Sequence, residues 1–370
     1  MRWRMLGGVV FAFACSYSML CGFGHAWGWL GGALDQLAEQ IDVECQPRFE
    51  VRRGTLTLPA DGEKRLRIES LAGLVNVVPG GPETVVEYVI YARGEDKADA
   101  RRRAEPVEVR CARGPESGDK IWVAVEKGER YPPNVSVELV VKTPPERALS
   151  IEVTSADIHV TGIHGGVEAG ATSGDVRVAG SGGGPVVASV TSGDICVEDA
   201  DGRVEARATS GNVSLAALRG PATAARVTSG DLRVTRIQSE EVSLQTSSGD
   251  TKLSEVEADR ISAKSTSGGI TLKDLRARRV AAGSTSGGIW IAFTRPFSAS
   301  LEAEATSGNV CLTMPASSDC AVHATTVSGS ISGNAWSEIG RREAGARLGA
   351  GTGSVRLSTT SGDIRLDAAS

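Results

Sequence analysis

The sequence predicts an all-β protein: a single-stranded β-solenoid, or β-helix, of coils about 18–21 residues long, opened by an N-terminal β-rich cap that carries one short helix. Three observations predict it. From Thr154 onward one tetrapeptide returns as TSAD, TSGD, TSGN, SSGD, TSGG or VSGS, at steps of 18, 19, 18, 19, 19, 19, 19, 21 and 21 residues and then 33. Such a period marks units that each contact their neighbours. After each tetrapeptide apolar residues alternate, as in Val176 and Val178, Ile195 and Val197, or Ile270 and Leu272, which is a strand with one buried face. Composition agrees: 45 glycines in 370 residues and 4% aromatics leave a core of small and β-branched side chains.

The elements follow in chain order. Arg2 and Arg4 precede Met5 to Leu34, which carry no formal charge, and Asp35 and Glu39 follow. That pattern predicts export, to the periplasm, cell envelope or cell surface. Gly24-His25-Ala26 suits a signal peptidase, so residues 1–26 are expected to be a signal peptide cut between Ala26 and Trp27. The alternatives are an uncleaved anchor over 5–34, longer than the roughly 20 residues a bilayer needs, and acylation of Cys21, for which Leu20 is a poor predecessor. Membrane contact is expected only through this segment, if it is kept or lipidated. Losing Arg2 and Arg4 takes the net charge from −5 to −7, and no run of five like charges gives a footprint for nucleic acid.

Residues 27–49 read as a linker and 50–150 as the cap and first coils. Leu66, Ile68, Val75 and Val77, then Val85, Val86 and Ile90, resemble an opening coil, and the mixed charges of Glu95 to Ala104 suit one exposed helix. Residues 151–334 form the repeat array, and 335–370 hold an insertion, Trp336 to Ala350, and the terminal coil. That coil lacks a cap of its own, so either the insertion folds over it or two rods meet end to end.

The tetrapeptides supply the candidate site residues: Ser173-Gly174-Asp175, Ser192-Gly193-Asp194, Ser210-Gly211-Asn212, Ser229-Gly230-Asp231 and Ser248-Gly249-Asp250. The aspartates suggest calcium, but Asn212, Asn309, Gly269, Gly288 and Ser330 stand at the same position, and glycine offers no side-chain oxygen. A structural turn is preferred, with Asp, Asn and Gly chosen for tolerance of positive φ and for side chains that bond their own turn. The serine has the parity of the buried face and is expected to form a hydroxyl ladder at a corner. No metal or other cofactor is expected, since no CxxC or zinc-type spacing occurs. Five cysteines remain after the leader. Cys45 with Cys111 and Cys311 with Cys320 are conceivable disulfides, and Cys196 reads as a small hydrophobe.

Two adjacent threonine columns, as an ice-binding face would need, are missing, because the residues before the turns run Gly170, Ser189, Arg207, Arg226, Gln245, Lys264 and Gly283. A saccharide platform would need a row of aromatics, and Trp290, Phe293, Phe297 and Trp336 read instead as a local cluster.

The irregular region ending in Val140-Val141-Lys142-Thr143-Pro144, the serial TSGD, TSGN and TSGG turns with their Val/Ile-x-Val/Leu pairs, and the closing Gly351-Thr352-Gly353-Ser354-Val355 resemble the bacterial "putative adhesin" family of domain-of-unknown-function β-strand-repeat proteins. The resemblance spans about residues 50 to 367 and implies a β-solenoid of the cell surface or envelope without shared catalytic residues. The expected function is therefore a non-enzymatic, adhesin-like surface protein that uses a rigid face for adhesion, assembly or binding of an unknown partner. A polysaccharide lyase or glycoside hydrolase on a β-helix is the alternative, because such chemistry leaves no linear motif.

Overall fold

The computed structural model describes residues 46–58, 65–114, 118–126 and 130–369. The leader, the Ala26/Trp27 cleavage point, most of the linker and Cys45 lie outside them. The described chain is all-β: 25 strands join in one sheet, and the helix among them is Lys97–Ala104. Asp96 caps that helix by accepting from the Asp99 N–H, Arg101 to Arg103 complement its C-terminal dipole, and Ala100 and Ala104 bury its inner face. It packs on strands Arg48–Leu58 and Thr84–Arg93.

The centre of the sheet is set by the repeat. Strands Val213–Ser229, Leu232–Ser248, Thr251–Ser267 and Ile270–Ser286 pair in parallel at a constant offset of 19, so that Val213 faces Leu232, Leu232 faces Thr251, and Thr251 faces Ile270. Each repeat is a rung whose N–H and C=O groups bond the rungs on either side, as buried backbone must. The inward columns are continuous: Leu215, Val234, Leu253, Leu272 and Ile291 are buried, as are Leu218, Ile237, Val256 and Leu275. Each rung is bounded by its Ser-Gly-Asx turn. Glycine is needed there, because Gly249 has φ of 127° and a Cβ on it would lie 2.1 Å from the Gly230 carbonyl oxygen.

At both ends the order in space departs from the order in sequence. Near the C-terminus, strand Gly353–Ser361 inserts between Ser300–Ser307 and Cys320–Ser328, and Ile364–Ala369 inserts between Val310–Pro315 and Ile331–Ser332. The expected terminal coil is thus internal. The insertion folds over the end, since Glu343–Leu348 pairs antiparallel with Cys320–Ser328 and Glu338–Ile339 pairs with it in turn. The N-terminal region has the same arrangement. Arg65–Pro79 lies between Ala148–Thr161 and the rung made by Gly118–Val125 and Val135–Thr143. Thr84–Arg93 covers Val135–Thr143 antiparallel, and Arg48–Leu58 covers Thr84–Arg93.

One buried polar cluster ties this end together. Arg147 pairs with Asp119, which is fully buried, and donates to the Thr84 hydroxyl at 2.8 Å, which lies 2.8 Å from that of Thr143. An enclosed ion pair held by further hydrogen bonds fixes geometry more than it adds stability.

Candidate functional site

The exposed surface is built from columns that repeat at the rung spacing of about 4.8 Å. The first is at the turns. Thr172 and Ser173, Thr191 and Ser192, Thr209 and Ser210, Thr228 and Ser229, and Ser247 and Ser248 are all exposed, and the pattern continues to Thr360 and Ser361. The serines therefore do not line the core. Alternation stops at the corner, where the chain bends, and successive turns are joined through the backbone: the Gly174 N–H donates to the Ser192 carbonyl and the Gly193 N–H to that of Ser210, both at 3.0 Å.

The Asx position also differs from expectation. Positive φ belongs to the preceding glycine, with Gly174 at 132°, Gly193 and Gly211 at 140° and Gly230 at 138°, and not to the Asp or Asn. The Asx side chain bonds the next rung rather than its own turn. Asp157 Oδ1 accepts from the Asp175 N–H at 2.9 Å and Asp175 Oδ1 from Asp194 at 2.8 Å. Asp194 Oδ1 accepts from Asn212 at 2.7 Å, Asn212 Oδ1 from Asp231 at 2.9 Å, Asp231 Oδ1 from Asp250 and Asp250 Oδ1 from Gly269 at 2.9 Å. Near the C-terminus Asn309 bonds Asp363 and Asp363 bonds Ser330, whose N–H and hydroxyl hold the Asp363 carboxyl below its ordinary range. These carboxylates act as rung-to-rung ties. Among the described residues no group of three His, Cys, Asp or Glu side chains is placed to hold a metal.

A second column begins eight residues after the turn threonine. Ala217, Arg236, Glu255 and Asp274 all adopt the left-handed conformation, with φ of 54°, 57°, 57° and 52°. The kink opens a groove of about 680 Å³ lined by Arg219, Arg236, Glu255, Glu257, Arg276 and Arg295. Arg276 pairs with Glu257 at 3.6 Å, and Asp274 Oδ1 is buried without a hydrogen-bond partner. A shallower groove of about 500 Å³ runs beside the threonines, between Arg226, Gln245 and Lys264 on one wall and Thr228, Ser247 and Thr266 on the other. The first groove carries charges of both signs over several rungs, and the second carries Arg226 and Lys264 with Glu304 at its far end, surfaces suited to an extended partner. Sequence reasoning missed the first groove, although Gly162, Gly180 and Asp199 stand at the same offset from their turns with φ of 65°, 63° and 51° and signal the kink that Ala217, Arg236 and Glu255 conceal further along.

Cys311 and Cys320 do not pair. Cys311 sits on the outward side of its strand, whereas Cys320 is buried with Sγ 3.7 Å from Met314 Sδ, so the two thiols face opposite sides of the wall. Burial pushes the Cys320 thiol up to about 11. Cys111 and Cys196 are also free thiols, and Cys196 Sγ lies 3.3 Å from Glu198. The four aromatics do not form one cluster either. Phe293 and Phe297 stack at 4.4 Å inside the core, Trp336 donates to the Ser332 carbonyl at 2.7 Å, and Trp290 stands apart, 46% exposed.

Among solved structures, the chain is similar to a putative cell adhesion protein from Clostridium sporogenes, with 9% identity over 86% of this chain and 99% of that one and a TM-score of 0.22. A putative adhesin from Parabacteroides distasonis shares 10% identity over 86% and 97%, with a TM-score of 0.41. A putative lipid binding protein from the same organism shares 14% over 85% and 96%, with a TM-score of 0.37. No curated protein matches. The model of the family described as Toastrack DUF4097 matches residues 145–218 and 198–367, more than half of the sequence, and the chain belongs to that family.

Proposed function

We propose that this chain is an exported, non-enzymatic protein of the cell envelope or surface, adhesin-like, in which a single-stranded β-solenoid with TSGD and TSGN turns holds a rigid face against a partner. The observation that carries this reading is the double column of exposed Thr and Ser side chains at one constant spacing, locked from rung to rung by the Asx ties. A face fixed in this way loses little conformational entropy on binding. The uncharged stretch Met5 to Leu34 supports export.

The test uses the full chain in its own cells. The reading predicts recovery in the envelope fraction, cleavage by protease added outside after any outer layer is opened, and weaker attachment of a deletion strain to surfaces or other cells. Recovery in the cytosol would overturn export. Release of reducing or unsaturated sugars by the purified chain, lost on mutating Glu255 or Glu257, would overturn the non-enzymatic part. End-to-end self-association belongs to the same proposal: the covering hairpin leaves Ile331–Ser332 unpaired on its outer side, with Ile339 and Val327 exposed near that end. Light scattering that reports monomers at all concentrations would refute it.

A further inference from the structure

Trp290 occupies a seat that the repeat has been altered to make. The rungs on either side fill the Asx position with Asp231, Asp250 and Asn309, whereas two successive rungs place Gly269 and Gly288 there. Neither glycine has positive φ, so the backbone does not require them. The indole does. A Cβ on Gly269 would lie 2.8 Å from Trp290 Cζ3, and a Cβ on Gly288 would lie 2.5 Å from Cη2 and 2.8 Å from Cζ2. The six-membered ring thus lies against the bare backbone of two turns, in the space where Asx side chains stand elsewhere, and the residue remains 46% exposed. The Asx ladder is interrupted at the same place: Gly269 still receives Asp250, but it has no side chain to pass on to Gly288.

Polar groups border this ring on each side. Asp250 and Asn309 stand three rungs apart in the Asx column, about 14 Å at the ordinary strand spacing. Asp250 uses Oδ1 on the Gly269 N–H and Asn309 uses Oδ1 on the Asp363 N–H, which leaves Asp250 Oδ2 and Asn309 Nδ2 for other partners. Thr271 lies beside Trp290 on one neighbouring rung and Cys311 on the other, with Lys252 and Arg365 one rung further out. A flat apolar plane bordered by a carboxylate, an amide and a hydroxyl has the two requirements of a pyranose ring, whose C–H face stacks on an aromatic surface while its hydroxyls reach hydrogen-bonding groups at the rim. The cations Lys252 and Arg365 on the same column disfavour a cationic ligand.

We propose that Trp290 and the Gly269–Gly288 seat form a saccharide-binding site, with Asp250, Asn309 and Thr271 as its polar rim. The site lies on the same turns as the Thr/Ser face, at their Asx positions two residues beyond the serines, and its occupancy does not depend on where the chain resides.

The test is saturation-transfer NMR on the purified full chain with hexasaccharides of β-1,4-linked glucose, N-acetylglucosamine, xylose and mannose, followed by titration of any that respond. The expected result is transfer to the C–H protons of at least one sugar, at least tenfold weaker binding for Trp290→Ala, and the same loss for Gly288→Asp. The second variant restores the residue that most rungs carry and supplies the Asx side chain missing there, so it keeps the repeat while displacing the indole, and unchanged circular dichroism checks this. No transfer from any of the four sugars, or binding that survives both variants, overturns the assignment. Attachment of whole cells that persists in Trp290→Ala would leave the surface reading intact while this site fails.

Discussion

The buried hydroxyl pair of Thr246 and Thr251 offers a direct test of how the core is held. The two Oγ1 atoms are 2.9 Å apart, with the residues 4% and 0% exposed. Thr251 stands in the column of Val213, Leu232, Ile270 and Ile289, where every other member named is aliphatic. Thr251→Val keeps the shape and removes one partner. The Thr246 hydroxyl then stays buried and unpaired, at a cost of about 1–3 kcal/mol. Thr246→Val does the same to Thr251. Replacing both removes two polar groups as well as their bond, and such exchanges are nearly neutral, so the double variant is expected within about 1 kcal/mol of wild type. The cycle should therefore show a coupling energy of about 1–3 kcal/mol, with the second change rescuing the first. Urea unfolding followed by circular dichroism measures this, together with amide exchange over residues 232–253, because repeat arrays open locally. If the two single losses simply add in the double variant, the pair is not the device described and the reasoning fails.

Three further outcomes follow from the same rungs. Asp231→Ala should destabilise the array by about 1 kcal/mol through loss of its tie to the Asp250 N–H, whereas Asp231→Asn should cost much less because Asn212 and Asn309 already do this work; thermal melts of the two variants would separate them. Ala217→Gly should stabilise by up to about 1 kcal/mol, since the left-handed conformation costs alanine about 1–2 kcal/mol and the freer unfolded chain returns about 0.4–1 of it; a lower melting temperature would show the kink to be unstrained. The Asp363 carboxyl is depressed in the folded chain, so its ties to Ser330 contribute above the ordinary carboxylate pKa of about 3.9 and are lost as pH falls through the lower folded value. Exchange protection of the Ser330 amide should fade in that acid range in wild type and not in Asp363→Asn.

Much of this fold is legible in the sequence because its core depends on period two and period nineteen. Ile270 and Leu272 face inward for the reason Val213 and Leu215 do, and the mixed charges of Glu95 to Ala104 mark the helix. The serine parity misleads because the corner exposes Thr, Ser and Asx in succession, which no strand rule foresees. The order of the end rungs is hidden for a different reason. Gly353–Ser361 and Ile364–Ala369 carry the same alternation as any other rung, so each would fit between many pairs of neighbours, and a repeat cannot encode which. The left-handed column escapes notice because Gly162, Gly180 and Asp199, which favour that conformation, give way to Ala217, Arg236 and Glu255, which do not. The Trp290 seat does leave a trace: two consecutive TSGG turns followed by a lone tryptophan on the outward face.

The displaced end rungs answer a problem that parallel stacking creates. A parallel rung at the end of a stack exposes a row of unpaired N–H and C=O groups that would template another chain. Here the outermost rung on each side is a segment continued by chain in both directions, and an antiparallel strand covers much of its free side: Glu343–Leu348 over Cys320–Ser328, and Thr84–Arg93 over Val135–Thr143. Near the C-terminus the last segments lie one place further in and are bonded on both faces. Ser361 accepts from the Gly308 N–H at 3.0 Å while its neighbour Gly362 donates to Ser328 at 3.1 Å. Peeling Gly353–Ser361 away would break two ladders instead of one and strand the Cys320–Ser328 rung without its inner partner. Fraying at a terminus costs least when a single ladder is broken, so exchanging the last two rungs raises that cost with no new type of contact; at the other end Arg65–Pro79 is likewise bonded on both faces, while Arg48–Leu58 lies outermost on its ladder with Thr84–Arg93.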